Sequence, residues 1–323
     1  MLEAMHQAAV GDDVFGEDPT INQLEARMAG LFGKEAGLFC SSGTMTNQVA
    51  IKVHTRPGDE VVCHRESHIY QYEGGGIAFN AGCSVHLIDG NRGRIDPDLL
   101  PGAMNNPDDV HKARTSLVSI EDTANRGGGA VYRVEDIARI SSFCTDHNLP
   151  LHLDGARVFN ALAVNGMEPL AYGNHFNSIS VCLSKGLGCP VGSVLVGDAE
   201  FIRQGRRVRK VFGGGMRQAG YLAAAGLYAL DHHVERLKED HQHALVIADT
   251  LRQQQWVNEI FPVETNIVVV QVQGLTEQDV CAKLRDNGVF AMPFGKQLVR
   301  FVTHLDITPA QVDFTCQVIS KLA

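Results

Sequence analysis

Apolar residues recur along this chain in two rhythms. Ile21, Leu24, Met28, Leu31 and Phe32 fall at helical spacing behind Asp18-Pro19-Thr20, an N-cap candidate followed by a proline at the first helical position, and Gly33 closes the run. Short apolar runs then alternate with helical stretches. The runs at 36–40, 60–63, 84–88, 116–120, 150–153, 178–183 and 193–197 predict strands, and 44–54 and 134–147 predict helices between them. A long helix is expected from near 216, after Gly213-Gly214-Gly215, through Ala223-Ala224-Ala225 into the 230s or beyond. Strands separated by crossovers imply an α/β fold with a mainly parallel seven-stranded sheet covered by helices on both faces. From about 260 the rhythm changes. Strand 267–272, helix 276–287, strand 298–302 and a last helix behind Thr308-Pro309 predict a small α+β unit. The expected division is an N-terminal segment, 1–15, a large domain, 16–255, and a small C-terminal domain, 256–323.

Composition narrows the classes. Hydrophobic residues make up 44% and charged residues 20%, the mix of a soluble globular protein. A net charge of −9 argues against nucleic acid or an anionic membrane as partner, because phosphate binding needs a basic face. The one basic cluster, Arg203, Arg206, Arg207, Arg209 and Lys210, reads as a solvated helix face or a subunit contact. Eight scattered cysteines include no C-x-x-C pair, so no zinc ribbon or thioredoxin motif is present, and a reducing cytoplasm is expected. His232, His233, His241 and His243 read as polar helix positions without ligand pairing, and no metal site is expected. The N-terminus is neither a signal nor a transit peptide, and no apolar run of about 18 residues suggests a membrane span.

Four segments carry chemistry. In Ser178–Gly188 a strand runs into Ser184-Lys185-Gly186, and a lysine at a buried strand end is costly unless its amine has a task. Forming a Schiff base with the aldehyde of pyridoxal phosphate (PLP) is one such task; a surface lysine in a turn is the bland alternative. Asp154, in Leu151-His-Leu-Asp-Gly-Ala-Arg157, also ends a strand. It suits a partner that keeps the PLP ring nitrogen protonated, or else a helix cap. The segment Cys40-Ser-Ser-Gly43-Thr44-Met-Thr-Asn47 opens a helix with free N–H groups. It lacks P-loop or dinucleotide-binding spacing, so it fits a small phosphate or an ordinary capped turn. His68 follows the 60–63 strand, and its flat imidazole suits stacking on a pyridine ring and carrying a proton, where a lone histidine is more often structural.

Together these segments resemble the fold-type-I PLP enzymes. The wording Gly11-Asp-Asp-Val-Phe15-Gly-Glu-Asp-Pro19-Thr20, Ser42-Gly-Thr-Met-Thr-Asn-Gln48, His152–Arg157, Leu183–Gly188, Gly213-Gly-Gly-Met-Arg-Gln218 and Val299–Asp306 is similar to the low-specificity L-threonine aldolases of the β-eliminating lyases, over nearly the whole chain. The resemblance implies PLP-dependent cleavage of the β-hydroxy-α-amino acids L-threonine and L-allo-threonine to glycine and acetaldehyde. By that likeness Lys185 is the Schiff-base lysine, Asp154 pairs with the ring nitrogen, and His68 stacks on the ring. Gly43 and Thr44 form the phosphate cup, and Arg157 and Arg300 hold the substrate carboxylate. It also implies a homotetramer of catalytic dimers with the Arg217 loop near a neighbouring subunit's site. The base that takes the β-hydroxyl proton is His68 or a water it orders. The alternatives are another PLP lyase reaction (β-elimination or serine hydroxymethyl cleavage) or a PLP-binding protein with impaired turnover. Against the family pattern, the segment 1–15 is shortened and lacks an Arg-Ser-Asp-Thr stretch. Glu121-Asp-Thr-Ala124-Asn125 carries alanine in place of a second active-site histidine, and Phe15 replaces a common tyrosine.

Overall fold

The computed structural model describes residues 1–322. Its large sheet contains β1 (Ala36–Cys40), β2 (Glu60–His64), β3 (Ser84–Ile88), β4 (Thr115–Glu121), β5 (Leu151–Gly155), β6 (Ser178–Cys182) and β7 (Ser193–Gly197), in the order β1-β7-β6-β5-β4-β2-β3. The pairs β6–β5, β5–β4, β4–β2 and β2–β3 are parallel, whereas β7 runs against both β1 and β6. The mainly parallel seven-stranded sheet expected from the apolar runs is therefore present. Every residue of β4 through β7 is buried, as a sheet covered on both faces requires.

Local chemistry sets the helix ends. Asp18 caps Pro19–Leu31 by accepting the N–H groups of Thr20 (3.1 Å) and Ile21 (3.0 Å), and Ser42 caps Gly43–His54 through the Met45 N–H. Asp18 also explains a displaced boundary. The helix expected near 216 begins at Gly220, whose N–H donates to Asp18 Oδ2 at 2.9 Å. Any side chain at 220 would put its Cβ 2.4 Å from Asp18 Oδ1, so the contact needs glycine. Residues 213–219 form turns instead, and the helix stops at His232 before a separate helix, Leu237–Leu251.

A second core lies around an antiparallel sheet of order β8-β9-β11-β10: β8 (Val257–Ile260), β9 (Ile267–Val272), β10 (Met292–Gly295) and β11 (Leu298–Val302). Helices Glu277–Asp286 and Pro309–Lys321 flank it, and Ala244, Ile247, Ala248 and Leu251 of the preceding helix pack into the same core. The edge strands β8 and β10 escaped the sequence pattern because one is half polar and the other carries proline and glycine.

The basic cluster lies on helix Ala199–Val211, but it is not wholly a solvated face. Arg209 is buried, donating to Asp13 Oδ2 (2.7 Å) and to the Phe39 carbonyl (2.6 Å), and Arg206 pairs with Glu25. Two of the four helix histidines are likewise tertiary: His233 bonds the Leu187 carbonyl and His241 the Asn160 amide.

Behind the C-terminal end of β4, Asp122 is fully buried. It accepts from the Tyr172 hydroxyl (2.6 Å) and the Tyr132 N–H (3.3 Å). Burial pushes its pKa up to about 7. A carboxyl raised in the fold contributes stability that is complete below its unfolded pKa of 3.8 and lost as pH rises through about 7. Stability of the parent should therefore fall across that window, and Asp122→Asn should flatten the slope. Denaturant midpoints taken at several pH values check this, and an unchanged slope in the variant contradicts the assignment.

Candidate active site

Parallel strands open their C-terminal ends on one side of a sheet, where ligands of such folds bind. Asp154 lies at the end of β5, His68 opens a short helical turn after β2, Lys185 follows β6, and Glu121 ends β4 opposite Asp154 in the sheet register. Helix Gly43–His54 begins just after β1. Five chain segments far apart in sequence thus meet at one edge.

Asp154 is 3% exposed and accepts from the Asn47 amide at Oδ2 (2.9 Å) and from the Ala156 N–H at Oδ1 (3.1 Å). The second bond is the turn-capping role; the first is not. The same Asn47 amide also donates to Glu73 Oε1 (2.9 Å), which lies 3.0 Å from His68 Nδ1. Glu73 Oε2 accepts from Gln48 (2.6 Å). Glu73 holds the His68 pKa above its usual range against the burial that lowers it, and Asp154 adds to the rise. The His68 Nδ1 and the carboxylates of Glu73 and Asp154 lie within 4.8 Å of one another, the spacing of a metal trio. Asn47 hydrogens already occupy both carboxylates, so the arrangement is a hydrogen-bonded cluster.

Glu121 is a second hidden support. Its Oε2 accepts the His68 N–H (2.8 Å) and its Oε1 the Asn125 N–H (2.9 Å). Burial and then Asp154 push its pKa up to about 7. Asn125 in turn accepts from Arg300 Nη1 at 2.9 Å. Arg300 comes from β11 in the small unit and sits over the Phe294 ring (4.7 Å), on which Arg126 also lies (4.0 Å).

Lys185 and Arg157 share a cavity of about 370 Å³ with Asn266, His304 and Asp306. Larger hollows, of about 540 and 660 Å³, line other faces; the first is lined by Arg206, Arg207, Arg209 and Lys210 of the basic cluster, and neither holds Lys185, Asp154, His68, Arg157 or Arg300. Burial lowers the pKa of both Arg157 and Arg300, and Arg157 is the first charge acting on Arg300, so the two guanidiniums lie near each other. Among the described residues neither forms an ion pair, and the buried Arg300 Nε has no hydrogen-bond partner. Gly43 and Thr44 occupy the first helical turn, whose N–H groups lack intrahelical acceptors. Beside Gly43 lies Ser193, whose buried Oγ is unpartnered. Arg217 pairs with Asp12 (2.6 Å) and lies over Phe15 (5.7 Å), while Gly214 of the same loop packs on Met45 beside the first turn of Gly43–His54. Ala124 is buried, against Gly93.

Sequence reasoning brought His68, Asp154, Arg157, Lys185, Arg300, Gly43 and Thr44 to this edge but passed over Asn47, Glu73, Glu121, Asn125 and Ser193. Asn47 and Glu121 stood inside motifs already singled out. Glu73 carried a weaker signal, a carboxylate one short turn beyond His68.

The comparisons agree with this architecture. The chain matches the beta-eliminating lyase family over residues 1–274. It is 42% identical over 317 residues to the low specificity L-threonine aldolase of Escherichia coli, covering 97% of this chain and 92% of that protein. It is 38% identical to low-specificity L-threonine aldolase 1 of Arabidopsis thaliana, covering 98% and 90%. A solved structure of Leishmania major threonine aldolase superposes with a TM-score of 0.84 at 20% identity, over 98% of this chain and 92% of that one. A strand-edge site of this design on a mainly parallel sheet is the architecture of the fold-type-I lyases. The chain belongs to the beta-eliminating lyase family.

Removing the Glu121 carboxylate strands two part-buried N–H donors. Glu121→Ala should cost roughly 2–4 kcal/mol of unfolding free energy, the lower part of the about 2–6 kcal/mol that two fully buried orphaned donors would cost. Urea unfolding measures it; a loss under about 0.5 kcal/mol shows that the two amides find other partners.

Proposed function

We propose that the chain is a PLP-dependent aldehyde-lyase that cleaves L-threonine and L-allo-threonine to glycine and acetaldehyde. The observation that carries this reading is the pair Arg157 and Arg300: two half-buried guanidiniums without carboxylate partners, at the edge that also holds Lys185, Asp154 and His68. Like charges brought together out of water need an anion, and a planar guanidinium fits a carboxylate with two parallel bonds. The names of the relatives supply the substrate class.

The residues present fit the cofactor. Open amides at Gly43 and Thr44, with the orphaned Ser193 hydroxyl beside them, suit a phosphate. Asp154, held by neutral donors, suits a protonated ring nitrogen, and the His68 ring suits stacking on the pyridine face. Lys185 supplies the amine for the covalent link. When bound, PLP supplies the sink for the electron pair released as the Cα–Cβ bond breaks.

The protein's part is positioning and proton handling. Arg157 and Arg300 fix the substrate carboxylate and so orient Cα. His68, or a water it orders, takes the β-hydroxyl proton as the Cα–Cβ bond breaks and acetaldehyde leaves. A proton would then be returned to Cα as glycine departs, and Lys185 is the amine that would hold the cofactor between turnovers. We assign the assembly as a homotetramer of catalytic dimers, supported by the exposed apolar side chains Phe15 and Val211 beside the 213–218 loop. We place it in the cytoplasm, supported by eight free cysteines, seven of them buried. Among the described residues no helix is long and apolar enough to cross a membrane.

The protein purified with PLP should show a visible absorption band and release acetaldehyde from both threonine diastereomers. Lys185→Ala should lose the borohydride-reducible link and at least a thousandfold in turnover, about 4 kcal/mol. Pyruvate in place of acetaldehyde would point to β-elimination, and a band without any product to a PLP-binding protein.

Arg300→Lys keeps the charge but loses the two-pronged contact. It should raise KM at least tenfold, about 1.4 kcal/mol, with a smaller change in kcat. An unchanged KM in steady-state assays rules out Arg300 as the carboxylate anchor.

A further inference from the structure

We propose that Glu73 is a positioning residue for His68, holding the imidazole proton on Nδ1 so that Nε2 is the nitrogen presented to the substrate's β-hydroxyl or the water beside it. The inference rests on the aldolase reading above and deepens it, from a residue to an atom.

Among the described residues no lysine or arginine neutralises Glu73. The Glu73 side chain is fully buried, and its partners are Asn47 (2.9 Å), Gln48 (2.6 Å) and His68 (3.0 Å). Two of these are amides on consecutive positions of helix Gly43–His54. A carboxylate only accepts, so each amide must turn its nitrogen toward Glu73. Other contacts agree. Gln48 Oε1 accepts from Asn80 (3.1 Å), and Asn47 Oδ1 faces His152 Nε2 (3.1 Å). Burial pushes the His152 pKa down to about 3, so His152 is neutral. Its hydrogen lies on Nε2, and its Nδ1 takes the Ser178 hydroxyl (2.8 Å). The chain of donors therefore runs one way, from the sheet interior toward Glu73 and Asp154.

The clamp is tight as well as oriented. A Cβ at Gly76 would stand 2.5 Å from the Gln48 amide, so the backbone beyond Glu73 closes directly on one of its two donors. With the amides fixed, the imidazole proton of His68 is the one mobile hydrogen on Glu73. Because Glu73 accepts, neutral His68 must carry that hydrogen on Nδ1, leaving Nε2 bare. This is the arrangement of a base oriented by a third group. The charged and titratable groups around His68 are Glu73 at Nδ1, Asp154 through space, Glu121 at its main-chain N–H, and Tyr72, whose ring lies 5.7 Å away. Glu73 alone bonds the ring. Ala124 offers no competing imidazole on the β4 side.

Nitrogen-15 spectra of histidine-labelled full-length protein decide the matter, with the His68 signals assigned by their loss in His68→Gln. They are recorded with PLP bound and after its removal, so they do not depend on turnover. The parent should show the Nδ1–H form of His68 once it is neutral. Glu73→Gln, keeping shape but not charge, should lower the His68 pKa by about one unit or more. It should also shift the ascending limb of kcat against pH down by the same amount, with KM within about twofold, and Glu73→Asp should restore part of both shifts. A merely structural glutamate would change KM and melting temperature and leave the limb where it was. An Nε2–H form in the parent, or an unmoved His68 pKa in a folded Glu73→Gln, overturns the proposal. The parent spectrum decides it even where the variant does not fold. A parent that shows the Nδ1–H form but releases no aldehyde leaves the Glu73 assignment standing and removes the aldolase reading.

Discussion

Asp154 is buried at the end of a strand with no cation bonded to it, and an ionised carboxylate in that position survives only on hydrogen bonds. Much of the surrounding structure supplies them. The Asn47 amide reaches Asp154 because helix Gly43–His54 crosses over β5 and β6, where Thr46 also meets Ser180 (2.6 Å). The amide cannot flip, because its other hydrogen is claimed by Glu73 and its oxygen by His152. His152 cannot charge, because it lies in the sheet interior. The register of β5 against β4 and β6 sets all of these distances, so a slip of one residue would turn Asp154 to the opposite face.

This dependence explains what the sequence disclosed. Lys185, Asp154 and His68 were legible because each follows an apolar run, and a charged or polar side chain at a strand's C-terminal end stands out against it. Four of the seven strands, β4 to β7, were legible because they are buried throughout and read as apolar runs. Glu73 and Asn47 were not, because their partners lie 26 and 107 positions away and only the folded sheet joins them. Glu121 was read as part of a motif, yet its role is to bond main-chain N–H groups of His68 and Asn125, and main-chain contacts leave no side-chain pattern. The helix expected from 216 begins at 220 for a comparable reason: the competing bond comes from Asp18, 202 positions earlier. Arg209 was hidden by its neighbours, since one buried member of a basic run looks like the exposed ones.

The site is divided by charge. On the His68 side stand three buried carboxyls, Glu73, Asp154 and Glu121. On the other stand Arg157, Arg300 and Arg126, and each of the first two has its pKa lowered chiefly by burial. The β11 strand delivers Arg300 from the small unit, and Phe294 beside it carries two guanidiniums on its ring. The guanidinium side suits an anionic group, and the carboxyl side suits a protonated one.

On the function proposed above, the substrate carboxylate would answer the guanidiniums, its amine would go to the cofactor in place of Lys185, and the acidic side would serve His68 and the ring nitrogen. Two contacts to the carboxylate would orient Cα before any bond is broken. On that reading the side chain beyond Cβ has no second imidazole beside it, since Ala124, buried against Gly93, stands where the family resemblance implies a histidine. A methyl group offers no hydrogen bond, and one neutral hydrogen bond is worth about 0.5–1.5 kcal/mol. On that reading, holding the carboxylate by two charged contacts and the hydroxyl by one histidine favours strictness at Cα and tolerance at Cβ. The sheet supports the same division: Arg157 follows β5 and Arg300 lies on β11, elements locked by register, while His68 hangs on a helical turn held by two carboxylates and a clamp of amides.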